Sequence, residues 1–287
     1  MDHVAPDELV QSMLSSAEKK ANLSTKDLLI RSFLAGAILS FATSLALVVL
    51  AQGLSPIVSA LLFPVGFVIL VLLGLELATG NFAILPAGLA AGKVTFGKMM
   101  RNWGVVYAGN LAGSLFYAIL FYAAVTSLNS GSAGTLGDLF KAAAQRKTLG
   151  YAAVGLHGWE AAFIKGILCN WMVTLGAVMA LISRSTVGKI VAMWLPIFTF
   201  FAQGFEHSIV NMFVIPIGKM FGAQVSLRQW WWWNQVPVTL GNIVAGSLLT
   251  GLALYWTYKP KRTADLVIQT ELSAAGEPVF ERATTVS

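Results

Sequence analysis

The stretch GFEHSIVNMF, residues 204–213, sets a glutamate directly beside a histidine in a run that is otherwise free of charge from Lys189 to Lys219. A second stretch, GLELATGNF at 74–82, interrupts another long apolar run in the same style. Gly74, Glu76, Asn81 and Phe82 recur in order as Gly204, Glu206, Asn211 and Phe213. What these two polar interruptions do inside apolar sequence decides the fold.

The surrounding sequence is built for lipid. Of 287 residues, 56% are hydrophobic and only 11% are charged, and the mean hydropathy is +0.72; a soluble domain carries about 25% charged residues. Apolar runs near 30–52, 57–92, 103–127, 161–183, 187–221 and 236–258 can each cross a hydrocarbon layer roughly 30 Å thick. Only helices and closed barrels satisfy their backbone in lipid, and these runs lack the two-residue alternation of a barrel, so the chain is an all-α membrane protein. Two runs, 57–92 and 187–221, are too long: at 1.5 Å per residue a straight helix of about 35 residues measures roughly 50 Å.

Positive residues settle how often each long run crosses, because Lys and Arg stay cytoplasmic. With one crossing apiece there are six spans, both termini lie inside, and only Lys141, Arg146, Lys147, Lys165, Lys219 and Arg228 face outward among 19 Lys and Arg residues. Two crossings in the first long run would force the cluster from Lys93 to Arg101 outside. Each long run is therefore read as one crossing broken at its middle, which is tolerable only where the backbone is buried in protein or lines a polar cavity. Pro64 and Pro86 bracket the first break, Pro196 and Pro216 the second.

The similarity extends beyond the breaks. Asn102 and Asn110 in NWGVVYAGNLAGSLF match Asn234 and Asn242 in NQVPVTLGNIVAGSLL, and Arg31 in IRSFLAG matches Lys165 in IKGILCN. Three spans per unit predict an inverted repeat of three plus three, with halves at about 29–128 and 159–259, and paired broken helices of this kind mark a transport path near the bilayer midplane. Residues 1–28 are expected to form a cytoplasmic amphipathic helix, 129–158 an external connector, and 260–287 a flexible cytoplasmic tail.

Among acidic residues only Glu76 and Glu206 lie deep, with Glu160 near an outer end, and an ionisable group at such depth is costly enough to imply function. Consecutive helical residues point about 100° apart, so His207 is assigned to the path and Glu206 to a buried anchor bonded to backbone or to a carboxamide such as Asn170. The plainer alternative for His207 is a core histidine bonded between helices. On the functional reading, a small weak-acid anion exchanges a proton or a strong hydrogen bond with His207, which offsets the several kcal/mol or more that a bare anion loses in an apolar neck. Phe63, Phe67, Leu77, Ala78, Phe200 and Phe201 flank the breaks as candidate dry constrictions. Arg31 and Lys165 are candidate mouth residues that attract anions, or snorkelling span ends.

Other classes fit poorly. The net charge of +6 sits in short loops beside spans, not in a nucleic-acid-binding surface. The single Cys169 forms no intrachain disulfide, no metal-ligand spacing is present, and no cofactor is expected. WWWWN at 230–234 reads as an interfacial tryptophan belt. A membrane acid/base enzyme using Glu206 and His207 would lack a nucleophile, so the chain is read as a non-enzyme.

The segments GFEHSIVNMFVIPIG, ILCNWMV, PVTLGNIVAG, NWGVVYAGNLAGSLF and LATGN together resemble the formate/nitrite transporter family, from about Leu28 to Tyr258. The resemblance implies an aquaporin-like protomer with its own pore, assembled as a homopentamer in the bacterial inner membrane. It implies passage of formate first, with nitrite, hydrosulfide, acetate or lactate as alternatives. By motif, His207 matches the central pore histidine and Glu206 its buried neighbour. Asn170 and Asn242 match the adjoining asparagines, and Thr79 the threonine of the first broken helix. Leu77, Phe63, Phe67 and Phe200 match constriction positions, and Lys165 is the candidate outer-vestibule lysine. Ala78 stands where formate channels often carry a bulkier Phe, which bears on the width of the inner gate. A water or glycerol channel of similar architecture would show Asn-Pro-Ala at its half-helix tips, and no Pro here follows an Asn.

Overall fold

The computed structural model describes residues 3–258, so the tail expected at 260–287 lies outside the described residues. Apart from an isolated antiparallel bridge between His3 and Ser183, the regular structure of the described residues is helical: α1 (Pro6–Ala21), α2 (Thr25–Ala51), α3 (Pro56–Leu62), α4 (Pro64–Leu72), α5 (Ala78–Ala90), α6 (Phe96–Val125), α7 (Gly134–Ala152), α8 (Leu156–Met179), α9 (Thr186–Ala202), α10 (Ser208–Met220) and α11 (Leu227–Thr257). Helix starts follow local chemistry. The side chains of Ser24, Thr95, Ser185 and Ser226 accept the backbone N–H groups of Asp27, Lys98, Gly188 and Gln229, each satisfying an N–H that the helix cannot. Pro56 and Pro64 open α3 and α4 at first-turn positions, where a missing N–H costs nothing.

Four helices, α2, α6, α8 and α11, are long and apolar enough to cross a membrane. Their outward faces carry large apolar side chains, among them Phe41, Phe116, Ile119, Ile164 and Leu248, as a lipid-facing surface requires. The runs 57–92 and 187–221 are each divided, into α3–α4 with α5 and into α9 with α10. The polar interruptions fall at the divisions.

Two further helices close the structure, and they hold matching places. Helix α1 buries Val10, Met13, Leu14, Ala17 and Ala21, packing on α5. Helix α7, within the segment expected as a connector outside the membrane, packs on α10 through Phe140, Ala143 and Ala144. Both docks use a glycine for close approach: a Cβ on Gly88 of α5 would collide with Ala17 of α1, and one on Gly218 of α10 with Ala144 of α7. Overpacking such a contact costs about 1–3 kcal/mol. Gly218→Leu is expected to lower stability by that amount in thermal unfolding in detergent, while Gly104→Leu, where nothing lies within 4 Å of the new Cβ, should stay within about 1 kcal/mol of wild type, the cost range of helix propensity.

Candidate functional site

The two breaks share a backbone design. Gly74 and Gly204 adopt φ of +64° and +69°, a left-handed turn that a side chain would strain. Three residues later the chain is extended again, with Leu77 at φ −114°, ψ 122° and His207 at φ −109°, ψ 120°. These are the N-cap positions of α5 and α10. Each break is then pinned by one asparagine. Asn110 Oδ1 accepts the Ala78 N–H (2.9 Å), and its Nδ2 donates to the carbonyls of Ser32 (2.8 Å) and Glu76 (2.9 Å). Asn242 Oδ1 accepts the Ser208 N–H (3.0 Å), and its Nδ2 donates to the carbonyls of Gly166 (2.8 Å) and Glu206 (3.2 Å). A carboxamide suits this place because it supplies donors and acceptors from one rigid group.

The glutamates are also held alike. Lys20, at the end of α1, donates to Glu76 Oε1 (2.9 Å), and Asn81 Nδ2 bonds both Glu76 Oε2 (2.8 Å) and Asn102 Oδ1 (2.9 Å). Lys147 of α7 donates to Glu206 Oε2 (2.8 Å), and Asn211 Nδ2 bonds both Glu206 Oε2 (2.8 Å) and Asn234 Oδ1 (2.8 Å). Asn102 and Asn234 complete the pattern by donating to the carbonyls of Lys20 and Lys147. Two bonds have no twin: the Tyr151 hydroxyl donates to Glu206 Oε1 (2.9 Å), and Asn234 Nδ2 makes a longer bond to Glu206 Oε2 (3.4 Å). Burial, and after it the charge of Glu206, pushes this phenol well above the usual tyrosine range, so it remains a donor.

Glu206 bonds carboxamides as expected, but they are Asn211 and Asn234 rather than Asn170. Asn170 Nδ2 instead donates to the carbonyls of Thr79 (3.2 Å) and Asn242 (2.6 Å). A buried carboxylate requires a countercharge that an amide cannot supply, and α7 delivers it. Lys20, Lys147 and Tyr151 were not singled out by sequence reasoning. The signal available for Lys147 was its place on an amphipathic stretch shortly before the second half, as Lys20 precedes the first. Lys165 takes another position, its ammonium 5.6 Å above the Tyr151 ring and its carbonyl accepting the Glu206 N–H (3.3 Å).

His207 lies where the two breaks meet. Its Nδ1 accepts the Val210 N–H (3.2 Å), capping α10, while Nε2 sits 3.1 Å from the hydroxyl of Thr79 on α5. An acceptor at Nδ1 leaves Nε2 as the protonated nitrogen of the neutral ring. Phe200 stacks beside the imidazole at 5.9 Å between centroids, and Phe63 packs against both Phe200 (5.8 Å) and Phe201 (3.9 Å). Phe67 and Leu77 line a cavity of about 200 Å³ that also meets Lys20, Gly80, Asn81 and Ala177. Ala78 is fully buried and does not line this cavity, and neither does Arg31, which is half-buried on the second turn of α2. Two buried polar atoms, Ser208 Oγ next to His207 in the chain and Oδ1 of Asn170, which bonds the Thr79 carbonyl through its amide nitrogen, have no hydrogen-bond partner within the protein.

Comparison with known proteins gives one answer throughout. The sequence model of the formate/nitrite transporter family matches residues 7–256. A probable formate transporter of Methanothermobacter thermautotrophicus is 35% identical over 269 residues, which cover 88% of this chain and 97% of that protein. Among solved structures, an FNT family ion channel superposes with a TM-score of 0.73 at 28% identity, covering 88% of this chain and 99% of the other. A pentameric formate channel with formate bound gives 0.65 at 27% identity, covering 82% and 97%. The chain belongs to the formate/nitrite transporter family.

Proposed function

We propose that this protein is a channel for small monovalent weak-acid anions, formate foremost, and that the anion passes between the two breaks at His207. The observation that carries the reading is the pairing of His207 Nε2 with the Thr79 hydroxyl at 3.1 Å, between two half-helices whose N-termini both face the gap. Helix N-termini carry a partial positive charge of roughly half a unit, which favours an anion there. The phenylalanines beside it exclude water and strengthen each hydrogen bond offered.

Of proton exchange and hydrogen bonding at His207, the geometry favours hydrogen bonding. With Nδ1 accepting from Val210, the ring is a neutral Nε2–H donor, and surrendering that proton would leave an imidazolate. Adding a proton at Nδ1 would turn a donor toward the Val210 N–H and cost α10 its cap. An anion entering the gap displaces Thr79 as the acceptor of Nε2–H, while the Thr79 hydroxyl rotates to donate a second bond. Asn170 and Asn242 hold the backbone that frames this exchange. Lys20 inside and Lys147 outside raise the local potential for anions while neutralising Glu76 and Glu206. Leu77, Phe67, Phe63 and Phe200 form the dry necks.

The same reading makes each divided run a single broken crossing, giving six spans as an aquaporin-like inverted repeat. Its support is the agreement of the two break networks in the lysine and the three asparagines that hold each glutamate and its turn. A further support is the contact of Tyr107 with Thr239 (2.8 Å), two residues at equal offsets from the paired asparagines, which meet as residues on a two-fold axis would. The docks of α1 and α7 extend the correspondence to one extra helix per half. By analogy with the pentameric neighbour, the protein assembles as a homopentamer, in the inner membrane with both termini cytoplasmic.

Uptake into proteoliposomes of formate, nitrite, hydrosulfide, lactate and chloride tests the proposal. Formate is expected to pass fastest and chloride at background, because chloride accepts hydrogen bonds too weakly to replace its hydration at the neck. Chloride passing as fast as formate, or swelling by glycerol without anion uptake, would overturn it.

A further inference from the structure

The second half departs from the first in its last long helix. Helix α6 is regular over Phe96–Val125, whereas α11 contains two π segments, one at Ala245–Leu252 and one at Trp231–Gln235, the latter just ahead of Pro237. Proline cannot donate to the carbonyl one turn earlier, and a π turn absorbs the mismatch; such turns recur at functional sites. Its consequence is that two consecutive carboxamides, Asn234 and Gln235, are both fully buried. Asn234 serves the Glu206 network. Gln235 does something else.

Gln235 Nε2 donates to the carbonyl of Ser208 (3.2 Å), in the first turn of α10 next to His207, and to the hydroxyl of Tyr107 on α6 (2.6 Å). Its Oε1 accepts the Trp230 indole N–H (3.2 Å). Tyr107 donates onward to Thr239 Oγ1 (2.8 Å), which donates to the Gln235 carbonyl (2.6 Å). The directions are consistent, each hydroxyl accepting once and donating once. One turn before Tyr107 on the same face of α6, the Trp103 indole N–H donates to the carbonyl of Asn81 (3.2 Å), in the first turn of α5. Helix α6 thus bonds the opening turn of α5 directly through Trp103, and reaches that of α10 through Tyr107 and Gln235 of α11.

We infer that Gln235, acting through Tyr107, is a positioning residue that fixes the separation of His207 from Thr79, and with it the size of anion the gap accepts. The inference rests on the anion-channel reading above. Gln235 touches no substrate. It sets the register of α10 against α6, and α6 carries the register of α5. Loss of the chain would let the two half-helices separate, admitting larger monocarboxylates and weakening the paired hold on small ones.

The test uses the full-length protein in proteoliposomes, with formate and lactate uptake measured side by side for wild type, Gln235→Met, Tyr107→Phe and the double variant. Each single variant is expected to shift the lactate-to-formate ratio upward by about two- to tenfold, the span worth one neutral hydrogen bond. The double variant should match the singles, because both act through one chain of bonds. Tyr107→Phe removes only a hydroxyl from a half-buried ring, so it carries the test even if Gln235→Met does not fold. A ratio unchanged within twofold in Tyr107→Phe, or shifts in the two singles that multiply in the double variant, would overturn the inference. Wild-type protein passing neither anion would instead overturn the reading beneath it.

Discussion

Lys147→Met is expected to destabilise the folded protein by about 3–5 kcal/mol, the cost of stripping one partner from a buried ion pair. Glu206 is 3% exposed and its carboxylate collects Lys147, Tyr151, Asn211 and Asn234; without Lys147 three neutral donors remain around an uncompensated charge. Adding Glu206→Gln should recover most of the loss, since the amide keeps an acceptor for Tyr151 and removes the charge. Lys20→Met should cost a similar amount, because Glu76 is as deeply buried as Glu206, at 2% exposed. Unfolding in detergent, followed by loss of secondary structure, reads all three. If Lys147→Met and the double variant were equally unstable, the ion pair would not be what holds the second break.

His207→Phe is expected to reduce formate uptake by roughly 10- to 100-fold, the worth of one hydrogen bond to a charged group. The substitution removes both the Nε2 donor and the cap on Val210. His207→Asn separates it from a general loss of shape, because asparagine is a favoured N-cap residue and retains an N–H donor. Uptake through His207→Asn should therefore stay within about tenfold of wild type, on the same scale of one bond weakened but not lost. Equal, severe loss in both variants would assign the imidazole a role that no amide can fill.

Much of this was legible before any coordinates because charge is so scarce in the chain. Glu76 and Glu206 stand out against apolar runs, and the paired asparagines at 102, 110, 234 and 242 recur at a spacing that chance would rarely preserve. The asparagines could be recognised as repeat markers, yet only Asn242 was given a place at the site. Their work in pinning the breaks depends on which carbonyls lie opposite, and that is set by helix packing. The countercharges were hidden for a related reason. Lys20 and Lys147 precede their glutamates by 56 and 59 residues, and a lysine on an amphipathic helix looks the same whether it faces water or a buried carboxylate. Lys165, nearer in sequence to the second break, drew the attention that Lys147 warranted. Asn170 was likewise matched to Glu206 on chemistry alone, while the fold turns it toward Thr79 and Asn242.

The central claim is that a neutral His207, capped into α10, offers the passing anion a hydrogen bond rather than a proton. The most direct measurement is the pH profile of formate uptake in proteoliposomes for wild type and His207→Asn. The two profiles should superimpose after scaling, since the group replaced is not the one that titrates. A profile that flattens in His207→Asn would show that the imidazole exchanges the proton, and would contradict the account.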